Sequence, residues 1–125
     1  MISHPTYLVI HLLGILLLFV SLGGVALHAL NGGTKQDNGA RRWVAIMHGL
    51  GTVLILLGGF GMLVRLELSQ GMALPGWAWA KLVILIVLAS VVMLPYRKPE
   101  LALPFFLALP FVGGLAGFLA IFKPF

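Results

Sequence analysis

Four stretches of the chain are apolar over lengths close to the bilayer thickness. A transmembrane helix needs about 20 consecutive apolar residues. Most polar and charged residues lie in three short connections, 31–42, 67–76 and 95–100. The apolar stretches cover residues 7–30, 43–66, 77–94 and 101–122. The pattern therefore predicts an all-α, polytopic integral membrane protein with four transmembrane helices.

The short connections also restrict how these helices are arranged. Connections of this length favour antiparallel packing of consecutive helices. We therefore expect a single antiparallel four-helix transmembrane domain over residues 1–125. The first apolar stretch lacks a preceding basic segment, which predicts a retained span rather than a removed signal peptide.

Composition supports a membrane protein and excludes several functions. The chain is 61% hydrophobic and 9% charged, whereas soluble domains are typically about 45–50% apolar and 25% charged. It has no cysteine, which excludes disulfides and thiol catalysis. Its net charge is +5, but the basic residues flank the apolar stretches rather than forming one patch. We therefore do not expect a nucleic-acid partner.

The distribution of basic residues predicts the orientation in the membrane. Connections 31–42 and 95–100 carry Lys35, Arg41, Arg42, Arg97 and Lys98. The opposite side has Arg65, Lys81 and Lys123. The positive-inside rule then makes both connections cytoplasmic and both termini periplasmic, as in a bacterial inner membrane. Interfacial aromatic residues agree with this orientation: Trp43 and Tyr96 inside, and Tyr7, Trp77 and Trp79 outside.

Ionisable residues inside spans are costly and mark candidate sites. Two stripes at helical spacing combine histidines with small residues, so we expect both to face the bundle interior. The first is His11, Gly14, Leu18, Ser21, Val25 and His28, and the second is His48, Gly51, Ile55, Gly58, Met62 and Arg65. By depth they form an outer layer of His11, Arg65, Glu67 and Lys81, and an inner layer of His28 and His48.

Two kinds of role remain open for these residues. Histidines at similar depth on neighbouring helices can ligate a haem iron, which would pair His28 with His48. His11 has no histidine at its own depth on another helix, so Met62 or Lys81 would have to lie opposite it. The candidate cofactor-binding residues are His11, His48 and Lys81. Alternatively, the histidines bond to backbone carbonyls, while Arg65 and Lys81 extend to the headgroups. No catalytic set and no metal site are predicted. The glycines, including the Gly113-x-x-x-Gly117 motif, indicate close helix packing within the bundle or against another protein.

The order of short motifs resembles small four-span membrane families. The motifs are YLVIHLLG, RRWVAIMHGLGTVLILLGG, LPGWAWAKL and YRKPE. They resemble SirB-type proteins, CopD-like copper-associated proteins and the HemJ type of protoporphyrinogen oxidase. The HemJ-type resemblance implies haem b binding at His11 and Lys81 and oxidation of a porphyrinogen. The sequence SLGGVALHALNGG stands where that family has an arginine-containing run.

These observations predict a non-catalytic subunit or accessory factor of a larger membrane complex, which could be a redox complex. The alternative is a haem-binding redox protein resembling the HemJ-type oxidase. We expect bound lipid, and either a membrane protein partner or a homo-oligomer. The absence of a carboxylate deep in any predicted span argues against a proton- or cation-coupled transporter.

Overall fold

A computed structural model describes residues 3–70 and 76–122, and for residues 65–70 it describes the backbone alone. The α-helices in these ranges are α1 His4–Leu30, α2 Arg41–Gln70, α3 Gly76–Ser90, α4 Leu94–Arg97 and α5 Ala102–Phe122, with a 3-10 turn at Pro99–Leu101. These ranges contain no strand, which confirms the all-α class.

Three helical segments are long and apolar enough to cross a membrane. They cover His4–Leu30, Arg41–Val64 and Pro99–Phe122. The apolar helix α3 has only 15 residues, or about 22 Å at 1.5 Å per residue. A hydrocarbon core is about 30 Å thick. Length and composition therefore support integration into a membrane through three of the predicted spans.

The predicted third span, 77–94, ends earlier than the apolar pattern suggested. Helix α3 stops at Ser90, and α4 begins at Leu94. Pro95 has no N–H to donate to the Val91 carbonyl. That carbonyl instead accepts a hydrogen bond from the N–H of Leu94, at 3.0 Å. Because Pro95 cannot donate this hydrogen bond, α3 ends earlier than hydropathy alone predicts.

Local signals set both ends of α1. The Ser3 side chain accepts a hydrogen bond from the Thr6 N–H, so the helix begins three residues before the predicted span. Gly32 follows the last turn with φ +86°, a conformation that glycine adopts without steric cost. Its N–H bonds to the Ala29 carbonyl at 3.0 Å and closes the helix end.

Helix α1 provides much of the core. Leu18 and Leu22 are completely buried and form a hydrophobic cluster with Leu85 and Leu88 of α3 and Leu109 of α5. The predicted inward stripe of α1 is confirmed, since its members from residue 11 to residue 25 are all buried.

Helices α1 and α2 approach each other at their glycines. A methyl group added at Gly14 would lie 2.6 Å from the Ile55 nitrogen, and one added at Gly51 would lie 2.8 Å from the Gly14 oxygen. At Gly58 an added methyl would lie 2.6 Å from the Tyr7 oxygen. The two backbones are therefore in direct contact, which only glycine permits at these positions.

Candidate functional site

His11 joins α1 to α2 through a hydrogen bond. The His11 residue is 6% exposed. Its Nδ1–H donates to the carbonyl oxygen of Ile55 at 2.8 Å. Since a carbonyl only accepts, Nδ1 carries a proton, and in the neutral ring Nε2 holds the lone pair. Gly58 lies against the backbone and Cβ of His11, and Gly59 lies against the imidazole ring.

Lys81, the third predicted cofactor-binding residue, is half-buried on α3. It therefore lies on a different helix from His11 and from His48. Two further members of the predicted outer layer, the side chains of Arg65 and Glu67, lie outside the described residues.

His48 has a different neighbour. Its Nε2–H donates to the Ala89 carbonyl oxygen at 3.1 Å. Ala89 belongs to the last turn of α3, where carbonyls have no partner within the helix. The hydrogen bond from His48 on α2 therefore provides a donor for a carbonyl at the C-terminal end of α3. Thr52 continues the polar chain on α2 by donating its hydroxyl to the His48 carbonyl at 2.8 Å.

The candidate cofactor residues do not meet at one point. Ile55, which holds His11, lies seven residues after His48 on the same helix, or about 10 Å along its axis. The Nε2 of His48, which would ligate an iron, is bonded to a carbonyl. The structure thus places the contacts of His11 and His48 at different depths along α2. Among the described residues no group of three or more His, Cys, Asp or Glu side chains could hold a metal ion.

A polar cluster at the opposite end was not predicted. The Nε2–H of His28 is shared between the Asp37 carboxylate, at 2.6 Å, and the Thr34 carbonyl, at 3.1 Å. The His28 ring also lies edge-on to Tyr96, with centroids 5.8 Å apart. Asn38 donates its side-chain N–H to the Tyr96 hydroxyl at 3.1 Å. This cluster joins the α1–α2 connection to α4.

One sequence signal could have indicated part of this cluster. Thr34 and Asp37 have the spacing of a capping box, and each side chain bonds the other's backbone N–H, at 3.3 and 2.9 Å. The contact with Tyr96 joins positions 58 residues apart, which local patterns do not reveal.

An open apolar groove of about 490 Å³ lies between the start of α1 and α2. Its lining residues are Tyr7, Val53, Leu56, Leu57, Phe60, Gly61 and Val64. The lining supplies little polar surface for a soluble substrate. The groove therefore does not present the converging polar groups that a reaction centre needs.

Comparisons with protein-family models, with curated proteins and with solved structures give no match for this chain.

Proposed function

We propose that this protein is a small, non-catalytic subunit or accessory factor of a larger membrane complex. The observation that supports this most directly is the presence of two kinds of glycine. In the first kind, backbone atoms of a neighbouring helix occupy the space that a side chain would need, as at Gly14, Gly51 and Gly58. By contrast, a methyl group at Gly114 or Gly117 would meet nothing within 4 Å.

A glycine in the interior of a helix lowers stability relative to alanine, and no close neighbour within the chain requires glycine at these two positions. Gly114 and Gly117 follow helical spacing on α5, and large apolar side chains project beside them: Phe111 is 80% and Ile121 is 77% exposed. Small residues between large ones let a second transmembrane helix approach closely. The face of α5 that contains Gly114 and Gly117 is thus suited to a protein partner or a second copy of the chain.

The polar residues fit a structural role. His11 and His48 each donate to a backbone carbonyl of another helix, which satisfies them within the chain. Hydrogen bonds of this kind join helices in a membrane, where polar groups have few other partners. A reaction centre would instead require polar groups that converge on a space for a substrate.

The proposed topology has four antiparallel spans in a bacterial inner membrane, with 31–42 and 95–100 cytoplasmic and both termini periplasmic. Contacts that support antiparallel packing pair Tyr7 with Gly61 and Gly14 with Gly51. Because the natural chain has no cysteine, single-cysteine variants Ser3→Cys and Gln36→Cys test the orientation. A membrane-impermeant thiol reagent should label Ser3→Cys in intact cells and Gln36→Cys only after lysis. The reverse pattern would contradict the orientation.

The subunit role is tested with Gly114→Leu/Gly117→Leu, using Leu115→Ala on the same helix as a control. The two leucines should displace a stoichiometric partner, or a second copy, during purification in mild detergent. The thermal midpoint of the isolated chain should stay nearly unchanged, because a Cβ atom at either position meets nothing within 4 Å. Unchanged association with an unchanged midpoint would contradict this use of α5.

A second candidate function is haem-binding redox chemistry of the HemJ-like kind. It is favoured by one observation, the hydrogen bond from His11 Nδ1 to a carbonyl, which leaves Nε2 as the lone-pair nitrogen. Histidines that ligate metals commonly have this arrangement. His11 would hold the group, with Lys81 of α3 as the second candidate residue, and the haem would supply electron transfer. A Soret band that His11→Ala removes would support this function, and a colourless native protein would exclude it.

A further inference from the structure

We propose that the end of the bundle formed by the α1–α2 connection and by α4 with its following turn binds the headgroups of anionic phospholipids. This site is separate from the face of α5 that contains Gly114 and Gly117, and it does not depend on the subunit role. The inference rests on the way in which two connections distant in sequence are joined into one charged surface.

The two connections form one surface because side chains join them directly. Asn38, in the first connection, donates to the Tyr96 hydroxyl of α4 at 3.1 Å. The His28 ring packs edge-on against the same tyrosine. Basic residues that lie about 55 positions apart in the sequence are thereby held at the same end of the molecule.

This surface is strongly cationic. It carries five exposed basic side chains, Lys35, Arg41, Arg42, Arg97 and Lys98. Its carboxylates are those of Asp37 and Glu100. Five basic residues against these two carboxylates leave the surface with a net charge of +3. The Asp37 carboxylate accepts hydrogen bonds from His28 and from the Thr34 N–H. Arg41 uses one N–H group for the Gln36 carbonyl and retains the other guanidinium donors.

The surface lies at the height of lipid headgroups. Arg41 begins α2, and Pro99 begins the last membrane-spanning segment, so the charges lie where apolar helices end. Trp43, which is 67% exposed, follows immediately, and tryptophan is enriched at this level of membranes.

Apolar surface continues from the charges toward the bilayer. Leu30 and Leu101 are 42% and 38% exposed at the adjoining helix ends. A ligand with a phosphate group and acyl chains would contact both the basic and the apolar residues. Arginine binds phosphate through parallel N–H donors. This combination favours a phospholipid over free phosphate or an acidic peptide.

The experiment uses the full chain with Trp77→Phe/Trp79→Phe, which leaves Trp43 as the fluorescent reporter. The protein is placed in phosphatidylcholine vesicles with increasing fractions of phosphatidylglycerol that has brominated, quenching acyl chains. Brominated phosphatidylcholine provides the reference for binding without a headgroup preference. We expect phosphatidylglycerol to bind beside Trp43 about tenfold more strongly than phosphatidylcholine.

Two paired variants locate the site. Arg41→Gln/Arg42→Gln and Arg97→Gln/Lys98→Gln should each reduce the preference by about five- to tenfold. The charge-preserving Arg41→Lys/Arg42→Lys should retain most of it, and Glu100→Gln should increase it. Equal binding of both lipids, or a preference that neither glutamine pair lowers, would overturn the proposal.

Competition distinguishes the sources of phosphate. Millimolar inorganic phosphate should leave quenching by phosphatidylglycerol nearly unchanged, because it lacks acyl chains. Complete displacement by phosphate, or by polyglutamate, would show a general anion site instead and would also overturn the proposal. If the tryptophan variant does not fold, native mass spectrometry of the natural chain measures retention of the same two lipids.

Discussion

The imidazole of His11 on α1 donates a hydrogen bond to the Ile55 carbonyl on α2, with 2.8 Å between Nδ1 and the oxygen. The bond lies beside the close contact of the two helices at Gly58. A polar side chain in the first apolar segment is thereby satisfied by a neighbouring helix. The contact joins α1 and α2 whether or not Nε2 has a further ligand.

Replacing His11 by alanine should weaken the α1–α2 contact. His11→Ala removes the interhelical hydrogen bond and leaves a small cavity, so we expect a loss of about 1–2 kcal/mol in the free energy of unfolding. Unfolding in mixed detergent micelles measures it. The adjacent Leu12→Ala is the control, because Leu12 is 49% exposed and should cost much less. Equal losses for the two variants would contradict a structural role for the His11 bond.

The glycine contact should tolerate no side chain. Gly14→Ala places a methyl group against the backbone of α2, and we expect a loss of about 1–3 kcal/mol from overpacking. Gly24→Ala on the same helix meets nothing within 4 Å, so stability should stay the same or rise slightly through better helix propensity. Thermal unfolding of both variants in one detergent checks the difference. A stable Gly14→Ala variant would show that the helices are farther apart.

The contact of His48 with Ala89 should protect the end of α3. In His48→Ala the Ala89 carbonyl loses its donor, so amide hydrogens near the end of α3 should exchange about tenfold faster. Hydrogen exchange in nanodiscs measures the exchange rates of these amides, with the amides at the α1–α2 contact as an internal reference. Thr52→Val is the control, because its hydroxyl bonds to α2 itself. Exchange that is unchanged in His48→Ala would contradict the capping role.

The bond between Asn38 and Tyr96 should order the first connection. Tyr96→Phe keeps the ring beside His28 and removes only the hydroxyl that accepts from Asn38. We expect a loss of about 1 kcal/mol and faster amide exchange over residues 34–40. Asn38→Ala should give the same result, and the double variant should add little to either change. Additive losses would show that the two residues act separately.

The sequence predicted the helices best where hydropathy alone decides them. Predicted spans 7–30 and 101–122 match α1 and α5 closely. Helix α2 continues to Gln70. The predicted boundary at residue 66 was too early, because the last turn of the helix is no longer apolar and hydropathy does not detect it. The predicted span 77–94 was too long, since hydropathy does not reveal that Pro95 lacks a backbone N–H donor.

The candidate site was predicted less completely. Burial of His11 followed from the spacing of its stripe, whereas its acceptor, the Ile55 carbonyl, depends on the register of two helices. His48 shared a predicted stripe with Gly51, yet its ring bonds to α3 rather than to α1. The cluster around His28 depends on Tyr96, far away in the sequence. Spacing along one helix determines a face, but the partner of each polar atom depends on the whole packing.

The most direct test of the subunit role begins with extraction from the native membrane in mild detergent. An absorption spectrum and quantitative mass spectrometry are then recorded on the same sample. We predict a colourless protein in a stoichiometric complex that Gly114→Leu/Gly117→Leu disrupts and His11→Ala leaves assembled. A Soret band near one haem per chain, lost in His11→Ala and present without any partner protein, would contradict the account.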